Sequence, residues 1–78
     1  MNYAIELDIT HESTFEEVQQ FATEHGCEVE LLEENGPAGG NPLYKFTAES
    51  FDMLQELGEQ ILQFDPTDKI YTEEGMTF

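Results

Sequence analysis

The hydrophobic period of this chain switches back and forth between two residues and about 3.6, and the order of the switches restricts the fold more than any other feature. Tyr3, Ile5, Leu7 and Ile9 alternate with Ala4, Glu6, Asp8 and Thr10, which predicts a strand with one buried face. Phe15, Val18, Phe21 and Ala22 then recur at helical spacing. Ser13 with Glu16, or Thr14 with Glu17, forms a capping-box start, and Gly26 after His25 supplies a left-handed stop. Alternation returns at Cys27, Val29 and Leu31, and ends at a Gly- and Pro-rich loop, NGPAGGNP, too long for a two-residue hairpin turn. The run LYKFTAE predicts a third strand with Tyr44 and Phe46 inward and Lys45 outward. Phe51, Leu54, Leu57, Gly58, Ile61 and Leu62 form the stripe of a second helix, with Ser50 or Thr47 as its cap and Asp65-Pro66 as its end. Gly58, on the core face, is expected to bring that helix close to the sheet. A short fourth strand is expected around Lys69 to Thr72.

The resulting order is βαββαβ. It predicts an α+β fold of the ferredoxin-like, split β-α-β type: a four-stranded antiparallel sheet in the order 4-1-3-2 with two helices on one face. Residues 1–78 are expected to form a single domain with a modest core, built around six Phe and three Tyr. The topology hosts many functions, so function must be read from the side chains it displays.

Charge is the second constraint. Eighteen acids face two lysines and no arginine, for a formal charge of −16, and residues 1–44 contain neither Lys nor Arg. With the apolar sets turned inward, Glu6 and Asp8 stand outward from the first strand and Glu28 and Glu30 from the second. Lys45 is expected among these four, reducing like-charge repulsion between strands. Glu33 and Glu34 lie beside them at the loop, and Glu73-Glu74 near the last residues. Alternate residues of a strand are about 6.8 Å apart and neighbouring strands about 4.8 Å, so the face is a dense carboxylate grid.

This balance excludes several classes of function. Direct binding to nucleic acid or to an anionic membrane needs clustered Lys and Arg against phosphate, and two lysines among eighteen acids do not supply them. No stretch reaches membrane-spanning length and no basic leader precedes an apolar run, so a cytoplasmic protein is expected. A lone cysteine, Cys27, allows no disulfide within the chain. Cys27 starts a strand, is expected in the core, and sits in acidic surroundings that do not favour a thiolate nucleophile. His25 fits a helix C-terminus and His11 a surface turn, and neither joins a zinc-like cluster. The glycine-rich loop joins two strands and lacks the Lys-Ser/Thr ending of a phosphate loop. No cofactor, no metal and no catalytic residue is expected.

The expected function is therefore non-enzymatic. An acidic domain of this kind can imitate the charge of a nucleic-acid backbone, about one negative charge per 1.7 Å of duplex axis. It would occupy the basic nucleic-acid-binding surface of a partner protein, as an inhibitor or modulator of the kind small mobile genomes, phages above all, commonly carry. The expected contacts are Glu6, Asp8, Glu28, Glu30, Glu33 and Glu34. The alternative is a structural or regulatory domain acting through dimerisation, with Met76 and Phe78 available for pairing and the acidity serving only solubility. Adaptation to high salt has less support, given fourteen Glu to four Asp and an ordinary core. Either a monomer or a homodimer fits these readings.

Overall fold

A computed structural model of the chain describes residues 2–10, 12–34 and 40–73. The elements are β1 (Tyr3–Asp8), α1 (Phe15–Glu24), β2 (Glu28–Glu33), β3 (Leu43–Ala48), α2 (Phe51–Leu62), a 3-10 turn (Thr67–Lys69) and β4 (Tyr71–Thr72). The strands form one antiparallel sheet in the order β2-β3-β1-β4, which is the expected 4-1-3-2 order read from the other edge.

Local chemistry sets the helix ends. Of the two possible capping boxes, Thr14–Glu17 forms. The Thr14 hydroxyl oxygen accepts from the Glu17 N–H at 3.2 Å, and Glu17 Oε1 accepts from the Thr14 N–H at 2.9 Å. Gly26 follows with φ 74°, the left-handed geometry expected of it. His25 Nδ1 lies 2.9 Å from the Phe21 carbonyl oxygen, so that nitrogen carries the proton and donates, while the ring packs on Phe21. Ser50 is the N-cap of α2, but its hydroxyl makes no capping bond. Gln63 closes α2 in the left-handed region (φ 63°, ψ 24°), with its N–H on the Glu59 carbonyl.

The core lies between the sheet and the two helices. Ile5, Leu7, Tyr44 and Phe46 from the strands meet Val18 and Ala22 of α1, Leu54 and Leu57 of α2, and Cys27. Phe15 remains 40% exposed, yet its ring stacks on Tyr44 with centroids 6.2 Å apart.

Two expectations need correction. Gly58 chiefly makes room for Pro66, not for the sheet. A Cβ at Gly58 would lie 2.8 Å from Pro66 Cβ and Cγ but 3.5 Å from Ile5 Cδ1, and Pro66 is fully buried against this gap. The last strand is also shorter than expected, because Lys69 belongs to the preceding turn. Asp65 Oδ1 accepts from the Thr67 N–H at 3.0 Å, and the Lys69 N–H is used by the Pro66 carbonyl at 2.8 Å, which holds the backbone out of the sheet until Tyr71. His11, loop residues 35–39, Met76 and Phe78 lie outside the described residues.

Candidate acidic interface

The helices cover one face of the sheet, and the other face carries the side chains that point away from them. Register places these in rows across the strands. One row runs Glu28, Thr47, Ala4, Tyr71, and the next runs Glu30, Lys45, Glu6. Asp8 stands opposite Leu43 at the end of β1. A bulge between Leu31 and Glu33 sets Glu33, instead of Leu32, opposite Leu43, which turns a carboxylate onto the open face where simple alternation would put a leucine. Leu32 is left 38% exposed.

Five of the six sequence-derived contact residues thus share this face: Glu6, Asp8, Glu28, Glu30 and Glu33, all exposed. Glu34 is exposed as well but follows the end of β2 and has no place in the sheet register.

Lys45 stands where expected, outward between the strand carboxylates and drawn by the charge of Glu30, but its ion pair is made elsewhere. In register it lies directly between Glu6 and Glu30, and its ammonium pairs with Glu73 beyond β4. That hydrogen bond, helped by the negative charge of Glu73 and Glu30, holds the Lys45 ammonium above the usual lysine range against the opposing pull of burial. Glu6 is occupied differently. Its Oε2 accepts from the Tyr71 hydroxyl at 2.8 Å, and burial together with this bond raises the Tyr71 phenol. Glu73 N–H also donates to the Asn2 carbonyl at 3.0 Å, which fixes the strand end beside β1.

Ala4 lies midway between Lys45 and Glu73 on the strand grid, and it is fully buried although it sits on the open face. Its methyl leaves room for the Lys45–Glu73 pair to cross above it, and a larger side chain there would stand in the path. Sequence reasoning gave Tyr71 and Glu73 no part in this arrangement. The available signal was their spacing of two on an outward face, which puts both beside β1.

The open face therefore divides. On the β4 side, Glu6 and Glu73 are engaged by Tyr71 and Lys45. On the β2 side, Asp8, Glu28, Glu30 and Glu33 have no cation within ion-pair distance among the described residues. The remaining lysine, Lys69, is exposed in the 3-10 turn. Cys27 is buried beneath β2, its Sγ 3.5 Å from the His25 carbonyl oxygen, and burial pushes its thiol up to about 11, so it stays protonated at neutral pH. Among the described residues, no group of three or more His, Cys, Asp or Glu is placed to hold a metal ion, and no helix is long and apolar enough to cross a membrane.

Comparison with protein-family models, with curated proteins and with solved structures finds no match to this chain.

Proposed function

We propose that this protein is a non-enzymatic acidic binding protein that occupies the basic, nucleic-acid-binding surface of a partner protein, as an inhibitor or modulator of phage or mobile-element type. One observation carries the reading. The open face offers Asp8, Glu28, Glu30 and Glu33 with no ion pair among the described residues, while Lys45, the cation opposite Glu30, is paired with Glu73. An ordinary solvated surface mixes both signs of charge, which lowers self-repulsion. Here the carboxylates stand on a rigid support at strand spacing, and their field steers a cationic surface toward them.

The sheet edges offer less to a dimer of identical chains. β4 has two residues, and β2 carries a bulge and three glutamates, features that discourage edge-to-edge pairing of like copies.

The test is capture of partners from a lysate at low salt, followed by competition. A captured basic protein is expected to be released by duplex DNA or RNA, and its affinity to fall steeply as salt rises. Capture that yields no basic protein, or a complex indifferent to both nucleic acid and salt, would overturn the proposal.

A further inference from the structure

We infer that the partner element is an extended segment with alternating cationic and apolar residues, which adds to the outer edge of β2 as a fifth strand. The inference rests on the reading of a basic partner and specifies how that partner is held.

Three observations lead to it. First, β2 is the edge of the sheet on this side, and no described element pairs with its outer edge. An edge strand presents a row of backbone donors and acceptors to any chain able to pair with them. Second, the two faces of β2 are incomplete in different ways. Toward the open face, Glu28 and Glu30 are exposed and neither has an ion pair among the described residues, the ammonium of Lys45 opposite Glu30 being paired with Glu73. Toward the helices, Val29 and Leu31 are only half-buried, whereas Ile5, Leu7, Tyr44 and Phe46 on the inner strands are at most 3% exposed. A strand laid beside β2 covers Val29 and Leu31 with its own apolar side chains and sets Lys or Arg opposite Glu28 and Glu30, at the roughly 5 Å separation of cross-strand pairs. Third, the edge rejects a copy of itself. A second β2 would add its own glutamates to this row, and like charges directly opposite are unfavourable. The same residues that exclude self-pairing therefore select a cationic strand.

The bulge sets the length of the site. Regular pairing along β2 runs from Glu28 to Leu31 and breaks before Glu33, so the added strand spans these positions and little more.

The test uses a synthetic peptide of alternating Arg and Val, a peptide of the same composition with Arg and Val in separate blocks, and two N-methylated forms of the first. Each N-methylated form carries its methyl groups on the amides of one edge only. The alternating peptide is expected to bind the full chain at least tenfold more tightly than the block peptide, and E28K/E30K to abolish that preference. β2 amides pointing away from β3 should gain hydrogen-exchange protection in the complex. One N-methylated form should bind like the parent and the other at least tenfold more weakly, because a strand uses only one of its edges here. Equal binding of the two N-methylated forms, or of the alternating and block peptides, overturns strand addition and leaves the basic-partner reading standing. Failure of every cationic peptide to bind at low salt overturns both.

Discussion

Lys45 pairs with Glu73, two strands away, and not with Glu6 or Glu30, the residues directly opposite it in the sheet. Tyr71 accounts for part of this choice, since its hydroxyl already occupies Glu6. The pair closes over Ala4 and, with the Tyr71–Glu6 bond, ties the short β4 to the rest of the sheet. Because both partners are partly exposed, at 23% and 30%, the coupling is limited by water and salt. A double-mutant cycle of K45M and E73Q is expected to give about 0.5–1 kcal/mol, falling as salt is added. Coupling of zero at low salt would mean that β4 is held by its backbone alone.

Gly58 and Pro66 fit together in a way that overrides helix propensity. Alanine is normally preferred to glycine inside a helix by about 1 kcal/mol. At this site an added Cβ would meet two buried proline atoms at 2.8 Å, and overpacking of a tight core typically costs about 1–3 kcal/mol. Gly58→Ala is expected to lower stability by roughly 1–2 kcal/mol in denaturant unfolding. Adding Pro66→Ala should recover part of the loss by opening the space. A stabilised G58A protein would contradict the packing.

Much of this was legible in the sequence, and the failures share a physical cause. Alternation at Ile5 and Leu7, at Val29 and Leu31, and at Tyr44 and Phe46 identified the three long strands, because each has one buried face. Two overlapping capping boxes, Ser13–Glu16 and Thr14–Glu17, marked the start of α1 to within a residue, and Gly26 its end. Periodicity says which way a side chain points but not what it meets across strands. Hence Lys45 was placed among the neighbouring carboxylates but not paired with Glu73, and Gly58 was set toward the sheet but not against Pro66. The bulge at Leu32 was hidden for a related reason: the doubled Leu31-Leu32 breaks the alternation, but a break alone does not say whether the strand ends or bulges, and here it bulges and carries Glu33 to the open face.

Cys27 supplies a test of core closure. Its folded pKa of about 11 lies above the ordinary thiol value of about 8.5. The folded state therefore holds the thiol proton more firmly than the unfolded state. The associated stability is complete below about pH 8.5 and is lost as pH rises toward the folded value. At pH 8, alkylation of Cys27 should be slow in the native protein and fast in denaturant. Equal rates in the two conditions would place the thiol in solvent.

Asp65 tests the acid limb. Hydrogen bonds from the Thr67 side chain, and then its backbone, hold the Asp65 carboxyl below the usual range. A depressed folded pKa contributes stability above the unfolded value of about 3.9, and that contribution is lost as pH falls below it. Asp65→Asn should therefore melt below the wild type at pH 7, with the gap closing under about pH 3. A gap that stays constant across this range would mean that the charge of Asp65 plays no part in the turn.

The central claim is that the β2 side of the open face, and not acidity in general, makes the contact. It is tested by comparing E28K/E30K with E56K/E59K for affinity toward the captured basic partner. Each double reversal changes the charge by four units, from −16 to −12, so net charge is matched. Glu56 and Glu59 are exposed on α2, behind the sheet. The strand variant is expected to lose about a hundredfold or more in affinity, roughly 2.7 kcal/mol, with its fold intact by circular dichroism. The helix variant is expected to stay within about fivefold of the wild type, the level of a general field effect. Equal losses in the two variants would contradict the claim and make the strand carboxylates part of a uniform solubilising surface.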